Sequence, residues 1–263
     1  MSTVREKLIN MFSKVMAGTV TREEGTMLIN ALAKEDLAET MKELSYLIDN
    51  PPPGVFPKTI LHTIALSRNK GFYNIMIASL EHKNEEVSIL AAQELARLKT
   101  SDAKVVLVEH TNSEAYHVRK ASAIALAQGF GDGVALLKKH ILENPEPFYR
   151  STSAQGLLSA GSKGLEALLS ILSSGNTGAM VSAAEVLSAA CRHLDDKEIP
   201  KIFDALMVAG DKKDSQSLIE LLRLAGKLGS RAKGFEGFVL AFSDYQSEPV
   251  RKEAQNALKL IRS

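Results

Sequence analysis

The side chains able to do chemistry in this chain are six histidines, one cysteine, a glycine-rich loop and several acidic pairs. The histidines are His62, His82, His110, His117, His140 and His193. Two histidines hold a metal when their spacing puts them on one helical face, as in an HExxH motif, and that spacing does not occur. His110 and His117 fall on consecutive helices and could approach each other, but no base or orienting partner accompanies them. They read as surface or turn residues. Cys191 lies beside Arg192 and His193, and neighbouring cations lower a thiol pKa. A nucleophile also needs an oriented base, so Cys191 reads as a small buried residue at the end of an Ala-rich helix. The run Gly129-Phe130-Gly131-Asp132-Gly133 lacks the preceding strand and the lysine of a phosphate loop. It reads as a turn whose free N–H groups at a helix start could at most hold an anion. Glu23-Glu24, Glu85-Glu86 and Asp195-Asp196 are adjacent in sequence, and adjacent helical residues do not face each other. They belong to solvated turns and helix starts, where acids suit the helix dipole. No catalytic residue, metal or cofactor is expected.

Charge supports the same reading. The 32 Lys and Arg residues balance 31 Asp and Glu residues. Phosphate contacts dominate nucleic-acid affinity and call for a basic excess, which the totals lack. One cysteine excludes an internal disulfide framework and a cysteine-rich zinc site. The N-terminal residues carry charges throughout and no uninterrupted apolar region, so no signal peptide is expected. No stretch reaches the roughly 20 apolar residues of a membrane span. A cytoplasmic protein with no membrane partner is the expectation.

The elements that position these residues emerge from a repeat. In Val250-Arg251-Lys252-Glu253-Ala254, an Arg follows the apolar start, a small residue stands four on, and Ala257-Leu258 come at seven and eight. Those apolar positions share one helical face. Val118-Arg119 with Ser122 and Ala125-Leu126 is a near copy, and Tyr149-Arg150 with Ser153 and Gly156-Leu157 follows it. Looser copies start at Phe56, Val87, Ala179 and Ser217, so the steps are 31, 31, 31, 30, 38 and 33 residues. A near-constant step of this size marks a solenoid of helix pairs. The partner helices are expected at 72–81, 103–111, 133–143, 164–173, 197–209 and 233–243. Asn84, Asn112, Asn144, Asn176, Asp214 and Asp244 sit at the turns between the paired helices, as caps or turn residues. Gly129, Gly131, Gly161 and Gly229 suit left-handed C-terminal caps. Ahead of the repeats, helices are expected over 3–16, from Thr21 with a capping box, and over 36–48. Pro51, Pro52 and Pro53 then break the chain. Residues 1–50 are expected to form a helical cap or a small helical unit, and residues 51–263 the solenoid.

The pattern Val-Arg-x-x-Ala-x-x-Ala-Leu on a second helix, after an Asn or Asp turn, resembles the HEAT repeat. The short step and Ala-rich second helices are most similar to the bacterial subgroup named after phycobilisome lyases. The resemblance covers roughly residues 56–263. It implies an all-α, right-handed superhelical solenoid whose second helices line a concave face that binds partners, mostly proteins. It also implies that the recurrent Arg pairs with a turn carbonyl or an acid and ties neighbouring repeats together. The Arg is missing from the units starting at 56, 87, 179 and 217, so any ladder of such pairs is incomplete. The longer step before Ser217 adds residues around Asp195–Lys197 and Asp211–Asp214, a protruding loop or a change of curvature.

The partner-binding face expected on this basis comprises Gln93, Arg97 and Lys120, then Gln155, Glu185, Arg223, Lys227 and Lys252, with Arg119, Arg150 and Arg251 shared between this role and the structural one. Its charge is mixed, with a mild basic lean toward the C-terminal end. A protein-interaction scaffold or adaptor with a protein partner is the leading expectation. The alternatives are an accessory enzyme of the HEAT-like lyase or DNA-glycosylase type, or nucleic-acid binding. A glycosylase wants a basic face with aromatic residues, and this chain has no Trp and 5% aromatic residues. The oligomeric state is not legible.

Overall fold

The first helices open on the caps their sequences provide. The computed structural model describes residues 3–263; Met1 and Ser2, which begin the expected N-terminal segment, lie outside the described residues. Helices α1 (Val4–Met16), α2 (Arg22–Glu35) and α3 (Leu37–Asp49) start on Thr3, Thr21 and Asp36. Thr3 with Glu6 and Thr21 with Glu24 form reciprocal capping boxes, each satisfying two backbone donors that the helix leaves free. The remaining helices are α4 (Pro57–Ser67), α5 (Tyr73–Leu80), α6 (Glu85–Leu98), α7 (Ser101–His110), α8 (Tyr116–Gly129), α9 (Gly133–Glu143), α10 (Pro147–Leu158), α11 (Ser162–Leu172), α12 (Thr177–Ala189), α13 (Ile199–Asp211), α14 (Ser215–Lys227), α15 (Glu236–Leu240) and α16 (Glu248–Arg262). The chain is 79% helical with no strands among the described residues, an all-α solenoid. It divides into two units, one ending at Ala125 and the other running from Leu126 to Ser263.

In the first unit, α1 packs on α2 and α3, and both α2 and α3 pack on α4. Leu8, Phe12, Ile29, Leu44 and Leu47 supply the buried stripe. An ion pair fixes α1 on α3: the Arg5 guanidinium donates to Glu43 at 2.5 and 3.1 Å and stacks over Tyr46 at 4.0 Å. The Arg5 hydrogen bond holds the buried Glu43 carboxyl below the usual glutamate range, against the opposing effect of burial. Helix α4 then packs on α6, and α6 on α5 and α7.

In the second unit, the second helices stack in order, α10 on α12, α12 on α14 and α14 on α16. Two glycines let the first helices close on this stack. A Cβ on Gly133 would lie 1.9 Å from the Leu126 carbonyl oxygen, and one on Gly164 would lie 1.6 Å from that of Leu157. Leu126 and Leu157 hold the same position in their repeats, so the close approach recurs with the period. Gly133 opens α9, where the partner helix over 133–143 was expected to begin, and is required for this packing.

Left-handed helix ends fall elsewhere than the glycines suggest. Gly161 and Gly229 do take positive φ, 62° and 58°, whereas Gly131 does not. Basic residues occupy the left-handed C-caps of α4 and α6, Arg68 at φ 49° and Lys99 at 52°. Cations at helix C-termini meet the negative end of the dipole, which offsets part of the strain. The helix expected over 233–243 is instead a 3-10 segment, Gly229–Phe235, followed by the short α15. Gly229, Gly234 and Gly237 weaken a continuous α-helix there, and Phe235 stacks on Phe203 at 4.5 Å. The extra residues near Asp195 form two 3-10 turns, not a free loop. Arg231 pins them by donating to Asp196 at 2.8 Å, to the Cys191 carbonyl at 3.2 Å and to the Leu194 carbonyl.

Two predictions follow from this packing. Gly164→Ala forces α11 away from α10 and lowers stability by about 1–3 kcal/mol, the usual cost of overpacking, read from the urea midpoint. His140 on α9 lies 2.9 Å from the Ser153 hydroxyl through Nδ1, and its Nε2 accepts from Asn144 at 3.1 Å. Burial holds this imidazole below its ordinary value of 6.5. The unfolded chain therefore takes up a proton that the folded chain refuses, and stability is full above pH 6.5 and falls as the pH drops below it. The slope of stability against pH just below that value is expected to flatten in His140→Gln.

Candidate functional site

The recurrent arginines have one geometry. Arg119 Nη1 donates to the carbonyls of Ser113 and Glu114, both at 2.8 Å. Arg150 Nη1 donates to those of Asn144 at 2.9 Å and Pro145 at 2.7 Å. Arg251 Nη1 donates to those of Tyr245 at 2.6 Å and Gln246 at 3.1 Å. Each guanidinium thus closes the turn ahead of its own helix, binding the carbonyls six and five residues upstream. Arg150 also lies against the first turn of α12, since a Cβ on Gly178 would stand 2.5 Å from its Nη2. Where the Arg is absent, shorter side chains reach similar groups: Ser88 donates to the Leu80 carbonyl at 2.6 Å. Asn176 donates to that of Leu142 at 2.9 Å.

The other expected face residues stand on the second helices. In the first unit, Gln93 and Arg97 are exposed on α6 and Lys120 is half-buried on α8. Arg97 donates to the buried Glu94 at 2.8 Å, and Glu94 lies 3.1 Å from His62 on α4. Lys120 sits over the Tyr116 ring at 5.7 Å. In the second unit, Gln155 is half-buried, while Glu185, Arg223, Lys227 and Lys252 are exposed. Lys252 pairs with Glu248 on its own helix at 2.7 Å.

Two neighbouring second helices bring three of their charged side chains together. Arg223 on α14 donates to both oxygens of the buried Glu220 at 2.7 Å and lies 3.8 Å from Glu253 on α16. Partial desolvation pushes the carboxyl of Glu185, on α12, above the ordinary glutamate value; the Glu220 charge adds to this and Arg223 opposes it. Two carboxylates, Glu220 and Glu253, thus share one guanidinium, and Glu185 lies within range of their charges. The expected mild basic lean does not describe this part of the face. Glu220 and Glu253 were not among the expected residues, yet each stands three positions after its repeat start, as Glu185 and Arg223 stand six after theirs. That register was the available signal, because positions three apart share a helical face.

The remaining candidates have local partners. His110 meets Glu81 at 3.2 Å and the Val106 carbonyl at 2.7 Å, whereas His117 meets the His82 carbonyl at 3.1 Å, so the two do not form a pair. Cys191 is half-buried in a 3-10 turn, not in the core, with its thiol 3.6 Å from the Lys227 carbonyl. Among the described residues, no group of three or more His, Cys, Asp or Glu is placed to hold a metal ion. No helix there is long and apolar enough to cross a membrane.

Residues 73–158, which span α5 to α10, match the family model described as HEAT repeats. No curated protein matches the chain. Among solved structures, the chain is similar to human deoxyhypusine hydroxylase in complex with glycerol at 15% identity, over 98% of this chain and 97% of that one, with a TM-score of 0.39. It is similar to Kap121p at 13% identity, over 96% of this chain and 33% of that one, with a TM-score of 0.42. A designed armadillo repeat protein is 15% identical over 71% of this chain and 98% of that one, with a TM-score of 0.33. The chain is an all-α repeat solenoid whose residues 73–158 carry the HEAT-repeat signature.

Proposed function

We propose that the chain is a non-catalytic protein-binding scaffold that grips a basic segment of its partner on the second helices of the second unit. The observation that carries this reading is the pairing of Glu220 and Glu253 with the single Arg223, with the exposed Glu185 of α12 in range of the same charges. Its net charge is negative, since two carboxylates meet one guanidinium. A Lys or Arg from a partner supplies that charge and discriminates against acidic partners. The repeat architecture supports a protein as the partner, since stacked helices present an extended surface with no enclosed reaction centre. Gln93, Arg97 and Lys120 offer a second, separately built surface on the first unit. The 30–31-residue step and Ala-rich second helices support membership of the short bacterial HEAT-like subgroup, and the single cysteine supports a cytoplasmic setting.

The test is capture of partners from native lysate at about 150 mM salt, near physiological ionic strength, with the intact chain and with Glu185→Lys/Glu253→Lys as baits. Melting curves of the two baits establish that both are folded. A protein recovered by the wild type and lost from the charge-reversed bait, with a basic segment at the cross-linked site, is the expected result. Recovery of the same protein by both baits, or of none by either, contradicts the reading.

A further inference from the structure

The first unit contains a cavity of about 500 Å³ between the C-terminal ends of α4 and α6 and the starts of α5 and α7. Pockets of roughly 300–1,000 Å³ hold small organic ligands. Ile64, Phe72, Met76 and Leu98 give it an apolar floor. Arg68 and Lys70 stand at its wall, with Asp102 as the acid among its lining residues. Both are exposed, and among the described residues neither makes a side-chain hydrogen bond or ion pair.

Arg68 is also held in the left-handed region, at φ 49°, where glycine is the residue without steric cost. A residue kept in a strained conformation points toward function when its side chain has work nearby. Lys99 caps α6 in the same conformation outside the cavity lining, so the site is marked by the cavity and its cations and not by the conformation alone. Tyr73 adds a buried hydroxyl to the lining, with Thr100 as the polar side chain beside it.

We propose that this cavity binds a small amphipathic anion, with its carboxylate or sulfonate on Arg68 and Lys70 and its hydrocarbon or aromatic body on Phe72, Met76 and Leu98. The anion fills the bonding capacity of two unengaged cations, and the apolar body covers the floor. Asp102 favours a ligand that carries a hydrogen-bond donor as well. The site is independent of the acidic cluster on the second unit, so either reading can fail without the other.

The probes are 1-anilinonaphthalene-8-sulfonate and its uncharged analogue N-phenyl-1-naphthylamine, titrated by fluorescence against the full chain. Saturable one-to-one binding of the sulfonate is expected, displaced by decanoate and not by decanol. Arg68→Gly keeps the left-handed cap and relieves it, so its melting temperature is expected to equal or exceed that of the wild type. Sulfonate affinity in Arg68→Gly and in Lys70→Gln is expected to fall by at least about tenfold, because charge-assisted bonds are the strong ones, while the uncharged probe binds as before. Unchanged sulfonate affinity in both variants, parallel loss of both probes, or no saturable binding by the wild type overturns the proposal.

Discussion

A helix cannot satisfy its own last carbonyls, and every helix pair in this chain ends its first helix on such groups. The fold depends on where those bonds go. In three repeats one guanidinium nitrogen collects two turn carbonyls, from Arg119, Arg150 and Arg251. Arg119 is 6% exposed, so its charge spends itself inside the repeat. Because the side chain starts on the second helix and ends on the turn, it fixes the angle at which the second helix leaves. The small and apolar positions at zero, four, seven and eight then meet the neighbouring pair in register.

That arrangement leaves the positions between the apolar ones open to solvent. On α14 and α16 those positions carry both carboxylates and cations, and the two helices bring Arg223 within 3.8 Å of Glu253. Function on such a surface resides in the register of the stack and not in one helix. Charge reversal at one position therefore changes the field of its neighbours as well, since Arg223 lies against both Glu220 and Glu253. The cavity of the first unit has a different origin. It sits where turns meet, between helix ends whose basic caps take the left-handed conformation.

Much of this was legible in the residues. The apolar period located the second helices, and the capping box at Thr21 located the start of α2. The recurrent Arg was legible as either a structural tie or a partner contact; its bonds to the turn carbonyls are a matter of three-dimensional reach that spacing alone does not resolve. Glu220 and Glu253 were legible only once the repeats were aligned by position, because each looks like an ordinary surface acid within its own helix. Arg68 was not legible at all. A basic residue in a left-handed cap has no sequence signal comparable to glycine, and the cavity it borders is made by residues from four helices. The tail from Gly229 onward reads as a helix by its apolar content, while its three glycines favour tighter, shorter turns.

Amide hydrogen exchange of Arg150→Met against the wild type tests the turn clamp most directly, since methionine keeps the apolar stem and removes the donors. The clamp predicts faster exchange at the α9–α10 junction around Asn144 and Glu146 and in the first turn of α12, where Arg150 lies against Gly178. Protection in the turn held by Arg251 should stay as it is. Unchanged exchange at the α9–α10 junction would contradict the claim that the guanidinium sets the geometry of the pair.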